Sequence, residues 1–179
     1  MKIMVASDIH GSLYYAKKII DCFLEEKAEK LVLLGDIYYH GPRNPLPKDY
    51  NPMEVAKLLN SHKKYLRVLQ GNCDAEVDKM ISEFDFAALI LMDIDGKKFY
   101  FTHGHHKNKD HLPKDIDYDV LCYGHFHVNM MEKVGNKTIL NPGSVSLPKE
   151  DSVRGYIIIE NGVAIQKDID GNIVNQINL

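Results

Sequence analysis

Three short apolar runs constrain the fold most: Ile3-Met4-Val5-Ala6, Leu31-Val32-Leu33-Leu34 and Leu66-Arg67-Val68-Leu69, spaced widely enough for a helix between each pair. From about Leu13 to Lys27, apolar Ala16, Ile19, Ile20, Phe23 and Leu24 recur on one helical stripe. A strand, a helix and a second strand form a crossover unit, which requires parallel strands with the helix on the sheet face. The spacing predicts further helices over about Met53 to Ser61 and Val77 to Phe84. Beyond Leu89 the pattern changes to strands: Ala88 to Met92, Lys98 to Thr102, Val120 to Tyr123, Lys137 to Leu140, Gly155 to Glu160, Val163 to Asp168 and Ile173 to Asn178. Asp95-Gly96 marks a turn, and Asn161-Gly162 and Asp170-Gly171 are hairpin signals. A parallel-leaning first half and an antiparallel-leaning second half are satisfied by two sheets packed face to face with helices outside.

The chain has 179 residues, 45% of them hydrophobic, enough for one core. With no repeat, low-complexity tract or linker to divide it, a single domain over residues 1–179 is expected. A formal net charge of −3 exerts no overall attraction on polyanions, so extended nucleic acid is not an expected partner. No stretch approaches the roughly 20 apolar residues of a membrane helix, and Met1 to Val5 leads into a strand rather than a signal peptide. Cys22, Cys73 and Cys122 are odd in number and lack paired spacing, which suits a reducing compartment, and the expected location is the cytoplasm. Cys22 and Cys122 lie in apolar patterns and read as small buried hydrophobes.

Polar motifs stand where apolar runs give way to glycine turns: Asp8-Ile9-His10-Gly11, Gly35-Asp36, Gly71-Asn72-Cys73-Asp74, Thr102-His103-Gly104-His105 and Gly124-His125-Phe126-His127. Any one of these is weak, because a lone histidine at a strand end is commonly an ordinary hydrogen-bonded side chain. Their succession along one chain places acidic, imidazole and amide groups at one sheet edge, with enough oxygen and nitrogen donors for two metal ions. That donor set points to metal-assisted phosphate chemistry.

The order of these motifs resembles the calcineurin-like metallophosphoesterase superfamily over nearly the whole chain. Within it, the short length, His40-Gly41-Pro42-Arg43-Asn44, Gly71-Asn72-Cys73-Asp74 and Asn141-Pro142-Gly143-Ser144-Val145-Ser146 look like the small YfcE-type phosphodiesterases. The resemblance implies a four-layer α/β/β/α sandwich of two mixed sheets flanked by helices. It implies that Asp8, His10, Asp36 and His127 hold one divalent ion and that Asp36, Asn72, His103 and His125 hold the other, with Asp36 bridging. Asp36 and Asn72 would then belong to the catalytic machinery, and a metal-bridging hydroxide would attack a small phosphodiester. No thiolate falls at these positions, so Mn²⁺, Fe²⁺, Co²⁺, Ni²⁺ or Zn²⁺ can be accommodated, and the resemblance favours Mn²⁺. Two carboxylates against two divalent cations leave a charge of plus two; a hydroxide lowers this to plus one, which a phosphodiester monoanion neutralises.

Cys73 departs from the superfamily pattern, in which a histidine at this position protonates the leaving oxygen and the next acidic residue orients it. A thiol with an ordinary pKa near 8.5 is a poorer acid at neutral pH than an imidazolium near 6.5. Cys73 and Asn72 are nevertheless candidate substrate contacts. Arg43, in a segment stiffened by Pro42, Pro45, Pro47 and Pro52, is the basic residue best suited to grip phosphate oxygens. His105 is a further candidate contact, with solvation in a surface loop as the alternative. A competing reading is an interaction module, because a retromer subunit of this fold serves as a protein-binding scaffold; phosphomonoesterase activity is a second alternative. Tyr38, Tyr39 and Tyr50 could supply a homo-oligomer interface.

Overall fold

The computed structural model describes residues 1–179. In chain order the elements are β1 (Ile3–Ala6), α1 (Leu13–Glu25), β2 (Lys30–Leu33), α2 (Pro52–Ser61), a 3-10 turn at Lys63–Tyr65, β3 (Leu66–Leu69), α3 (Glu76–Ile81), β4 (Phe86–Ala87), β5 (Ile90–Ile94), β6 (Lys97–Phe101), β7 (Val120–Cys122), β8 (Asn129–Val134), β9 (Lys137–Pro142), β10 (Gly155–Glu160), β11 (Val163–Asp168) and β12 (Ile173–Asn178). Ser12 caps α1 by accepting from the Tyr15 N–H, and Asn51 caps α2 by accepting from the Glu54 N–H with Pro52 in the first turn. Helix α1 stops before Lys27 because that residue turns into the left-handed region, at φ 53°, to enter β2.

A seven-stranded sheet has the order β12-β11-β10-β1-β2-β3-β4, and a five-stranded sheet the order β5-β6-β7-β9-β8. Strands β1 to β4 are parallel. The C-terminal meander joins this same sheet through an antiparallel β1–β10 pairing. Strands β6, β7 and β9 are parallel to one another, so the second half is more parallel than its turn signals suggest.

Alternation along the strands separates three apolar layers. Met4, Leu31, Leu33, Val68 and Ile158 face α1 and α2. On the opposite face, Ile3, Val5, Val32 and Ile157 meet Phe99, Phe101, Val120 and Leu140 of the other sheet. The outer face of that sheet, with Tyr100, Leu121, Tyr123 and Ile139, is covered by Leu112, Ile116 and Tyr118. The fourth layer is therefore an irregular segment between β6 and β7, with no helix in it. Its composition explains this: Pro113 and closely spaced aspartates interrupt any helical stripe. Strand β8 was not expected, since Asn-Met-Met-Glu-Lys-Val lacks alternation and forms the sheet edge. The two-residue β4 is too short to carry a pattern.

Candidate metal centre

The loops after β1, β2, β3, β6 and β7 bring the five motifs together. The first two are zipped by backbone bonds: Asp8 N–H to Gly35 O (3.2 Å), His10 N–H to Asp36 O (2.9 Å) and Gly11 N–H to Ile37 O (2.8 Å). Asp8, His10, Asp36, His125 and His127 all have φ between 51° and 65°. Left-handed backbone at a residue with a β-carbon costs about 1–2 kcal/mol, and such strain concentrates at functional sites. Here these bonds hold the strained turns in place.

Three imidazoles are aimed by backbone carbonyls. His10 Nδ1 meets Tyr39 O at 2.7 Å, His103 Nδ1 meets Leu34 O at 2.7 Å, and His127 Nδ1 meets Leu147 O at 2.6 Å. Because a carbonyl only accepts, each Nδ1 carries the hydrogen and each Nε2 presents a lone pair inward, the tautomer a metal ligand needs. His10 Nε2 and His127 Nε2 stand 3.1 Å apart, with Asp8 Oδ1 at 3.6 Å and 3.3 Å respectively. On the other side, His103 Nε2 is 3.0 Å from Asn72 Oδ1 and 3.4 Å from Asp36 Oδ2. Asp36 Oδ2 is also 3.7 Å from His10 Nε2, so this carboxylate lies between the two groups.

Acceptors thus converge on acceptors. Asp8 Oδ2 is satisfied by Ser7 Oγ (2.6 Å) and the His125 N–H (3.0 Å), whereas Asp8 Oδ1 is buried without a hydrogen-bond partner. A buried carboxylate oxygen facing imidazole lone pairs is stable only with a cation among them. The residues present therefore fit divalent metal: Asp8, His10 and His127 form one compact donor group, and Asp36, His103 and His125 another. Without a cation the same field retains protons. Burial would lower the His103 imidazolium, but its contact with Asp36 and the charges of Asp8 and Asp36 outweigh burial and raise it to about 9.

Supporting contacts come from residues with no obvious ligand signature. Ser144 and Ser146 both donate to Asp8 O, at 2.7 Å and 3.0 Å, so the Asn141 to Ser146 segment braces the first motif. Asp74 accepts from the backbone N–H groups of Asp36, Ile37 and Gly71 at 2.8, 2.8 and 2.7 Å. It ties the β2 and β3 loops together and orients no proton donor at Cys73. Nothing in the local sequence points either serine at Asp8.

Cys73, Arg43 and Asn72 line a cleft of about 630 Å³ over this centre, together with Tyr39, Asn44 and Lys149. Cys73 Sγ also approaches His10 and Asp36 closely enough to share a cation with them. Burial and the Asp36 carboxylate push its thiol up to about 12. His105 does not line the cleft. Its ring lies 5.4 Å from that of His103 and 4.0 Å from that of His106, on an exposed turn. Tyr38 is buried, and its hydroxyl meets Ser82 Oγ at 2.7 Å, so it offers no interface area.

The chain is similar to known proteins over most of its length. The chain is 41% identical over 166 residues to the phosphodiesterase YfcE of Escherichia coli, covering 91% of this chain and 89% of that protein. The solved structure of E. coli YfcE, described as a phosphoesterase, superposes with a TM-score of 0.95 at 38% identity over 99% of both chains. A phosphodiesterase of Methanocaldococcus jannaschii is 30% identical over 144 residues, 80% of this chain and 83% of its own. Vps29 of Entamoeba histolytica shares the fold, with a TM-score of 0.68 at 18% identity over 100% and 99% of the two chains. The family profile of the calcineurin-like phosphoesterase superfamily domain matches residues 1–162, and the chain belongs to that superfamily.

Proposed function

We propose that this chain is a metal-dependent phosphodiesterase for small phosphodiesters, working in the cytoplasm as one metallophosphoesterase domain over residues 1–179. The observation that carries the reading is the convergence of Asp8 Oδ1, Asp36 Oδ2, Asn72 Oδ1 and three imidazole Nε2 atoms at one point, with Asp8 Oδ1 buried and left without a hydrogen-bond partner. Asp8, His10, Asp36 and His127 would hold one divalent ion, and Asp36, Asn72, His103 and His125 the other, with Mn²⁺ the favoured metal. When bound, such a pair supplies Lewis acidity and a nucleophile at neutral pH.

The chain's own groups do the rest. Asp36 is held by the Cys73 N–H on Oδ1 at 2.8 Å, which leaves Oδ2 facing both donor groups. Asn72 Nδ2 is engaged only by Cys73 Sγ at 3.4 Å, so it can donate to a phosphoryl oxygen instead. Arg43 lies on the cleft wall, where a guanidinium can grip two oxygens of the scissile phosphate. Cys73 packs beside Asp36 and Asn72, its N–H on Asp36 Oδ1 and its Sγ on Asn72 Nδ2, and serves as packing rather than as nucleophile.

The test is an assay of metal-stripped protein, with and without Mn²⁺, on bis(p-nitrophenyl) phosphate and p-nitrophenyl phosphate, with His127→Ala as control. Diester cleavage restored by Mn²⁺ and lost in the variant is the expected result. Absence of turnover with any divalent ion at confirmed occupancy would overturn it in favour of a binding scaffold; faster monoester cleavage would reassign the substrate class.

A further inference from the structure

Lys149 is a cleft cation that the proposed reaction leaves without an anion. It is exposed and lines the same cleft as His10, Asn72, Cys73 and Arg43. Its backbone is fixed to the centre at two points: the Lys149 N–H donates to His127 O at 3.0 Å, and Leu147 O, two residues earlier, holds His127 Nδ1 at 2.6 Å. Arg43 lines the same cleft in a comparable setting, four residues after the Tyr39 carbonyl that holds His10, in a turn closed by Asn44 Nδ2 to His40 O at 2.8 Å. Both cations therefore project from segments that already orient candidate ligands.

The ion-paired lysines of this chain all lie outside the cleft. The two carboxylates on the cleft wall, Asp36 and Asp74, point at the metal centre and at three backbone N–H groups respectively. By the charge count above, two divalent ions, two carboxylates, a hydroxide and a phosphodiester monoanion already sum to zero. Arg43 serves the scissile group, and Lys149 then faces open cleft with no counter-charge. An unpaired ammonium beside a neutralised centre favours a substrate with more negative charge than the diester alone provides.

Resting on the phosphodiesterase reading, we infer that Lys149 is a specificity residue for a second anionic group, a phosphate monoester carried on one flank of the phosphodiester. The preferred substrates are then phosphorylated diesters, as in a short nucleotide bearing a terminal phosphate, rather than neutral-flanked ones.

The Mn²⁺-loaded protein is assayed on the p-nitrophenyl ester of thymidine 5′-phosphate with and without a 3′-phosphate, and on the matching pair built on propane-1,3-diol. The expected result is a preference of about tenfold in kcat/KM for the phosphorylated member of at least one pair, arising in KM. In Lys149→Met that ratio falls to about one. Calorimetric titration of thymidine 3′,5′-bisphosphate against thymidine 5′-phosphate gives the same ratio without turnover, and Lys149→Met abolishes it. Ratios near one for both pairs in the unaltered protein, with turnover intact, overturn the inference and leave the phosphodiesterase reading standing. So does a variant that slows both members of a pair equally, which would place Lys149 on the scissile phosphate. Lack of turnover on every diester refutes the parent reading instead.

Discussion

Gly71 sets the position of Asp36 by having no side chain. A β-carbon there would lie 2.1 Å from Asp36 Oδ1 and 2.5 Å from Asp36 N, where real β-carbons stay beyond about 3.0 Å. The difference, 3.0 − 2.1, requires Asp36 and Gly71 to separate by about 0.9 Å. The carboxylate has little freedom to give way, because Oδ1 is fixed by the Cys73 N–H at 2.8 Å and the Asp36 N–H by Asp74 at 2.8 Å. A displacement near 1 Å at a reacting centre costs about 10²-fold in rate, and overpacking a tight site costs about 1–3 kcal/mol of stability. Gly71→Ala should therefore lower kcat/KM on bis(p-nitrophenyl) phosphate about 100-fold and shift the urea midpoint modestly. Gly96→Ala is the control: its φ of 79° disfavours any side chain, but nothing lies within 4 Å of the added methyl, at a turn between β5 and β6. It should cost about 1–2 kcal/mol and leave kcat/KM within twofold. A Gly71→Ala enzyme with activity within threefold of the parent would refute the claim that this contact positions Asp36.

Divalent ion should stabilise the fold, by about 2.7 kcal/mol at a concentration 100 times its Kd; a Tm that rises with Mn²⁺ in the parent but not in His127→Ala checks this, and equal shifts in both would remove His127 from the metal site. With a thiol at Cys73 in place of a strong acid, rates should depend steeply on the leaving group, so aryl diesters should be cleaved at least 10²-fold faster than alkyl ones; equal rates would show another proton donor. Glu26 resists the effect of burial through Lys167, Lys2 and Tyr156, which hold its carboxyl below its usual range. Its contribution of about 1 kcal/mol is present above the unfolded carboxyl pKa and lost as pH falls through the lower folded value. The urea midpoints of the parent and Glu26→Gln should therefore differ at pH 7 and converge as pH falls below the unfolded carboxyl range; a constant gap would assign the loss to packing.

The alternating strands and helices up to β3 were legible because each local signal agreed with the sheet it entered: short apolar runs for the strands and an amphipathic stripe for the helix between them. The hairpin at Asn161-Gly162 was equally plain, with both residues in the left-handed region at φ 52° and 72°. Strand β8 and the non-helical fourth layer were not, because an edge strand and a covering loop owe their shape to neighbours rather than to their own periodicity.

The candidate ligands were readable from type and order alone, since metal chemistry needs carboxylate, imidazole and amide donors and leaves them at strand ends. Motif order by itself pointed to metal-assisted phosphate chemistry, and the superfamily resemblance those motifs carry supplied the candidate set Asp8, His10, Asp36, Asn72, His103, His125 and His127. Only the tertiary structure decided which carbonyls turn each imidazole inward, that Asp8 Oδ1 is left without a partner, that Asp74 ties two loops together, and that Lys149 enters the cleft. These depend on backbone groups and on contacts across as many as 138 positions of sequence, as between Ser146 and Asp8. Backbone carbonyls are the same at every residue, so their role emerges only when the chain brings them together.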